Sequence, residues 1–245
     1  MPEARVSAAA VPAAPREPAP SRPLWVSVEG INGIGKTTAA RALSASLDGR
    51  CLLLDELTDQ AGDTLPGRVI SALAADDDVF LRTGYPVVET LALLALKVRE
   101  AERLAAIPAP PEVEVVIEDR GVDSVAVYQA AILSAQVSGA DPTDIARHVL
   151  ATVSRWRRLP DATVLLTGDR EVCTRRFADR IGRTLAPRDL RVIEQAEFLY
   201  TGLAAVETDR YTVIDATGKP AEAVADEVGA VVQDLVKQRE ADHVA

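Results

Sequence analysis

The segment Gly30-Ile31-Asn32-Gly33-Ile34-Gly35-Lys36-Thr37 constrains this chain more than any other. It satisfies the pattern G-x-x-x-x-G-K-[ST] at every fixed position, between an apolar run (residues 24–29) and a helical pattern (residues 36–47). Each residue type has a physical reason. Glycines let backbone N–H groups curl around an anion without side-chain clashes. The helix starting near Lys36 aims its positive end at the same anion. Lys36 supplies a point charge for the β- and γ-phosphates, and the Thr37 hydroxyl can ligate Mg²⁺. Gly30, Asn32, Gly33, Ile34, Gly35, Lys36, Thr37 and Thr38 are therefore the expected ATP-binding residues.

Around this loop, short apolar runs alternate with helical patterns. Strands are expected at 24–29, 51–54, 113–117, 162–166 and 211–214. Helices are expected at 36–47, 86–106, 123–138, from Asp141-Pro142 to about 157, at 171–180, at 189–207 and from about 221. Alternation of this kind predicts an α/β fold: a five-stranded parallel sheet with helices on both faces. Residues 1–23 are rich in Ala and Pro and read as a disordered tail. Residues 24–245 read as one P-loop domain.

Charge narrows the partners. The chain has 27 basic and 37 acidic residues, for a net charge of -10, which argues against nucleic acid as a partner. An anionic substrate needs a local basic pocket. No stretch is long and apolar enough to span a bilayer, so no membrane role is expected. Cys51 and Cys173 are too far apart to read as a metal pair, and a reducing, cytoplasmic setting is expected. Lysine occurs at four positions only, and Asn32 is the single asparagine. A guanine-reading N-K-x-D segment therefore cannot exist elsewhere in the chain.

A second group of polar residues closes the third apolar run. Glu118-Asp119-Arg120 is followed by Ser124, Tyr128 and Gln129. Carboxylates at the end of a strand beside the phosphate loop can orient hydrated Mg²⁺, which makes Asp119 and Glu118 metal candidates with Thr37. An adjacent arginine can hold an acceptor phosphate in bidentate fashion.

Taken in order, these segments resemble the thymidylate kinase family over roughly residues 24–235. Val28-Glu29-Gly30…Gly35-Lys36-Thr37-Thr38 resembles its phosphate loop, and Asp119-Arg120…Ser124…Tyr128-Gln129 its Asp-Arg motif. Leu93-Leu94…Arg99 resembles its substrate-facing helix, and Glu197-Phe198…Tyr200 the segment after its lid. Arg175, Arg176, Arg180 and Arg183 fall where its mobile lid lies. The resemblance implies a nucleoside monophosphate kinase that uses ATP and Mg²⁺, with dTMP the leading acceptor, and a homodimer formed through its long helices. It also implies roles: Arg120 on the acceptor phosphate, Arg99 facing the base, Tyr128 under the sugar, Ser124 nearby, and Asp119 placing Mg²⁺. Glu56 matches the acidic residue of the family's Arg-Glu-Pro segment. Gly33, where some members carry an arginine, implies the subgroup whose catalytic arginines come from the lid. Charge chemistry fits that lid. Phosphoryl transfer spreads negative charge that cations stabilise, and Arg176, Arg180 and Arg183 are spaced for one helix face.

Departures from the family cluster on the acceptor side. Asn32 stands in place of an acidic residue, Ala95 in place of an aromatic, and Val125 in place of a polar residue. Glu118 is an extra carboxylate. Two alternatives therefore stay open: a kinase of this fold acting on another nucleotide, nucleoside or small metabolite, and an ATP-binding regulatory module without turnover.

Overall fold

The computed structural model describes residues 22–59, 63–74, 78–106, 110, 112–136 and 139–244. The expected tail falls outside these residues except for Arg22 and Pro23. Arg22 is tied down by an ion pair with Asp161 at 2.9 Å.

Five parallel strands form one sheet: β1 (Leu24–Glu29), β2 (Cys51–Leu54), β3 (Val115–Asp119), β4 (Ala162–Thr167) and β5 (Tyr211–Asp215), in the order β2-β3-β1-β4-β5. β1, β3 and most of β4 are buried along their length, because helices cover both faces. The eight described helices are α1 (Lys36–Ser46), α2 (Leu65–Leu73), α3 (Pro86–Ala106), α4 (Val122–Ser134), α5 (Pro142–Val153), α6 (Arg170–Ile181), α7 (Pro187–Val206) and α8 (Ala221–Val244).

The register divides the sheet into two unlike faces. Successive strand residues point to opposite sides, and Ser27 pairs with Glu118 and Thr163 while Val28 pairs with Asp119 and Val164. One face therefore carries Val26, Val28, Val115, Ile117 and Val164, and Asp119 at its rim. It packs on Ala39, Ala40 and Leu43 of α1, which lies beside α8. The opposite face carries Trp25, Ser27, Glu29 and Glu118, all buried beneath α3, α4, α5 and α7. This polar seam holds its charges in pairs. Asp123 of α4 accepts both Arg210 nitrogens at 2.8 Å and the Tyr211 hydroxyl at 2.6 Å.

Most expected elements stand where the patterning places them, with shifts at the ends. β3 begins at Val115 and runs on to Asp119, two residues later than expected. α5 stops at Val153, short of residue 157, and the end expected for α4 at residue 138 lies outside the described residues. The Asp141 cap forms, its Oδ1 accepting from Thr143 N at 2.8 Å. α2 had no expectation, although Thr64 caps it by accepting from Gly67 N at 3.2 Å and Pro66 stands in its first turn.

Candidate active site

The phosphate loop joins β1, the central strand, to α1. Gly30, Gly33 and Gly35 hold φ values of 139°, 82° and 109°, in the left-handed region. At Gly30 a Cβ would lie 2.5 Å from the Leu166 carbonyl oxygen of β4, so the loop can leave the sheet here only as glycine. Gly35 caps α1 and the helix starts at Lys36. The Lys36 ammonium folds back and donates to the Ile31 carbonyl at 2.8 Å. Burial, reinforced by the Arg120 charge, brings it down to about 7, against the pull of Glu56, Asp119 and Glu29. A cavity of about 350 Å³ opens over the loop. It is lined by Gly33 to Ala39, by Glu56 and Arg120, by Arg176 and Arg180 of α6, and by Ala216 and Lys219 beyond β5.

β3 delivers the second group of residues. Its pleat turns Asp119 toward α1, where the Thr37 hydroxyl lies close enough to favour its charged form. Burial and the nearby Glu56 raise the Asp119 carboxyl, opposing Thr37, Lys36 and Arg120. Its Oδ1 is buried with no hydrogen-bond partner among the described residues. An orphaned carboxylate oxygen beside a hydroxyl suits a hard divalent cation. Asp119 and Thr37 thus fit Mg²⁺. Arg120 follows with φ 61°, which swings its side chain back over the site. It pairs with Glu56 at 3.1 Å and lies 5.6 Å from the Tyr128 ring centre. Glu56 is held below its ordinary range: burial raises it, but Arg120 and Lys36 outweigh that. The Tyr128 hydroxyl accepts from Asn32 N at 3.1 Å and donates to the Asn32 side-chain oxygen. Burial pushes that hydroxyl up to about 12.

A five-stranded parallel sheet in this order, with the phosphate loop on its central strand, now has a sequence match beside it. A sequence model described as thymidylate kinase matches residues 28–228. The chain belongs to the thymidylate kinase family. It is a kinase, and its likeness to curated family members covers most of each chain. Thymidylate kinase of Cereibacter sphaeroides is 32% identical over 208 residues, covering 81% of this chain and 89% of that protein. Thymidylate kinase of Bifidobacterium longum subsp. infantis is 32% identical over 227 residues, covering 89% and 90%. A probable thymidylate kinase of Methanosarcina acetivorans is 28% identical over 198 residues, covering 80% and 88%.

The fold brings together most, not all, of the residues that the family resemblance singled out. Lys36, Thr37, Asp119, Arg120, Glu56, Arg176 and Arg180 converge on one cleft. Glu118 does not join them. Lying one residue before Asp119 on a pleated strand, it points through the sheet to the other face and is fully buried there. Its oxygens accept from Lys97 at 2.9 Å, from both Arg157 nitrogens at 3.1 Å and from Trp25 Nε1 at 2.9 Å. A carboxylate so engaged has no place for a metal, which corrects that expectation. Ser124 is also turned inward: its hydroxyl donates to Glu29 Oε2 at 2.5 Å and meets the Tyr200 hydroxyl at 2.8 Å. Arg183 does not share a face with Arg176 and Arg180, because α6 ends at Ile181 with Gly182 as a left-handed cap. It lines a separate groove with Arg175 and Leu190. Arg99 is half-buried on α3 and is not among the residues lining the cleft; the side chain that α3 turns inward at that level is Lys97.

Three residues outside the expected set belong to the surroundings of the site. Glu29, at the end of β1, accepts from Ser27 and from Gly121 N at 2.6 Å, from Ser124 at 2.5 Å and from Tyr200 at 2.9 Å. It ties the root of the phosphate loop to the start of α4 and to α7, and burial with the Asp123 charge raises its carboxyl. A carboxylate in an otherwise apolar strand was the available signal. Phe80 stacks on Tyr128, and Phe177 packs tilted against the other side of Phe80. No sequence period marks Phe80, which sits in a loop.

Proposed function

We propose that this kinase transfers the γ-phosphoryl group of ATP to a nucleoside monophosphate, with dTMP as the acceptor. The convergence of Lys36, Arg120, Arg176 and Arg180 on one cleft carries the reading, since phosphoryl transfer is driven by positioned cations. Lys36 and the loop amides would hold the β- and γ-phosphates. Thr37 and Asp119 would hold Mg²⁺, which supplies charge neutralisation at the phosphate oxygens. Arg120, paired with Glu56, would grip the acceptor phosphate, and Tyr128, bonded to Asn32, would form the floor beside it. Arg176 and Arg180 would meet the moving phosphoryl group. The names of the curated relatives support dTMP as the acceptor.

A second reading rests on Asn32. Its amide replaces an acidic group and its oxygen is engaged by Tyr128, so the acceptor site differs in charge from the family pattern. That favours another nucleotide-like acceptor. The assembly belongs to the same proposal. Tyr85, Val87, Val88 and Leu91 lie exposed on and just before the first turns of α3, an apolar strip suited to a second copy of the chain. Two free cysteines are consistent with a reducing cytoplasm, and no helix among the described residues is long and apolar enough to cross a membrane.

The test is ADP release from ATP·Mg²⁺ across a panel of nucleoside monophosphates and nucleosides, with Lys36→Ala as control. Selective turnover of dTMP, abolished in Lys36→Ala, is the expected result. Failure on the whole panel with ATP binding intact would overturn the acceptor assignment and leave the second reading.

A further inference from the structure

The segment between α2 and α3 carries no motif, yet it touches both halves of the site. Asp78 Oδ1 accepts from Phe80 N at 2.9 Å and from Arg82 Nε at 2.8 Å. Arg82 also bonds Asp189 in the first turn of α7, and Asp189 Oδ2 accepts from Ala186 N at 2.8 Å. Leu81, between them, holds φ 58°, a conformation that a branched residue keeps only when its surroundings enforce it. These bonds fix the loop to the start of α7 and turn Phe80 inward.

The buried Phe80 ring lies between two others. It stacks on Tyr128 at 5.8 Å and 24°, and meets Phe177 at 6.2 Å and 48°. Tyr128 is bonded to Asn32 of the phosphate loop. Phe177 belongs to α6, between Arg176 and Arg180, and the Arg180 guanidinium lies 5.4 Å from its ring centre. A continuous packed path thus runs from Asn32 through Tyr128 and Phe80 to the helix that carries both cleft-lining arginines.

We propose that Phe80 is a positioning residue that docks α6 on the floor at Tyr128, and so sets where Arg176 and Arg180 stand over the cleft. The functional consequence rests on the phosphoryl-transfer reading given above; the docking itself does not. α6 also rests its backbone on Gly33 and pairs Arg170 with Glu194 and Glu197 of α7, but its buried side chains are Cys173 and Phe177, so the ring contact is a large share of its apolar anchorage. Removal of Phe80 frees the arginine helix while leaving Lys36, Thr37 and Asp119 on α1 and β3.

Amide hydrogen exchange on the ligand-free protein tests the docking. Phe80→Ala is expected to speed exchange in α6 about tenfold relative to α8, while Phe80→Leu, which refills most of the volume, keeps it near wild type. Equal acceleration in α6 and α8 would show only a loss of global stability and would overturn the proposal, as would unchanged exchange in α6. On the acceptor that the wild type turns over, Phe80→Ala is expected to lower kcat about tenfold with the directly measured ATP Kd unchanged. An unchanged kcat would overturn the functional consequence. A wild type that turns over no acceptor breaks the functional reading alone, because the exchange arm still decides the docking.

Discussion

Replacing Gly33 by alanine should disable this kinase without removing any charged group. Gly33 holds φ 82°, and a Cβ there would lie 2.0 Å from the Cys173 carbonyl oxygen, 2.9 Å from its carbon and 3.1 Å from Phe177 N. All three atoms are backbone of α6, so no side chain can swing aside. Real Cβ contacts essentially never fall under 3.0 Å, so α6 must retreat by about 1 Å. Arg176 and Arg180 ride on that helix. A misplacement of about 1 Å in positioned groups costs up to about 10²-fold in rate, which is the expected loss in kcat. The left-handed backbone adds about 1–2 kcal/mol of instability. Gly182→Ala is the control. Gly182 caps the same helix at φ 65°, but its Cβ would meet nothing within 4 Å. It should lose comparable stability and keep most of its kcat. Steady-state kinetics and urea denaturation on both variants decide the matter. A Gly33→Ala enzyme with the kcat of Gly182→Ala would refute the steric argument.

Two further outcomes follow from buried charges. Glu118→Gln removes the counter-charge of Lys97 and Arg157 and should cost about 3–5 kcal/mol in urea denaturation. Burial raises Glu118, but Lys97 and Arg157 outweigh it and bring the carboxyl from its ordinary 4.5 to about 2. Its contribution is therefore complete above pH 4.5 and is lost as pH falls toward 2, so the wild type should lose stability more steeply than Glu118→Gln across that window. Lys36, at about 7 before phosphates bind, is mostly neutral at pH 8 and charged at pH 6. Binding phosphates favours the charged form, so ATP binding at pH 8 should take up close to one proton at Lys36. Calorimetry in buffers of different ionisation enthalpy measures it, and no uptake at pH 8 would contradict the burial of this ammonium.

The phosphate loop was legible in consecutive residues. The spacing of Gly30, Gly35, Lys36 and Thr37 permits one local backbone shape, and that shape forms wherever a strand feeds a helix. Short apolar runs alternating with helical patterns were enough to give the five strands, because strands covered on both faces, such as β1, β3 and β4, are mostly apolar. Local signals also gave the Asp141 cap. They were equally present for α2, in Thr64 and Pro66, but no long apolar period accompanied them.

Tertiary structure decided which of two neighbouring carboxylates meets the cleft. Glu118 and Asp119 read alike in sequence, but the pleat of β3 sends one to Lys97 and Arg157 and the other to Thr37. It decided the arginines in the same way: a left-handed cap at Gly182 ends the helical spacing before Arg183. Ser124 was taken from the acceptor by Glu29, whose burial demanded donors from the start of α4 and from α7. Phe80 acquired its place only through contacts with α4 and α6, far away in sequence. Local geometry is written in consecutive residues, and so it is legible from them. Which side chain satisfies a buried charge, or fills the gap between two helices, depends on neighbours that only folding supplies.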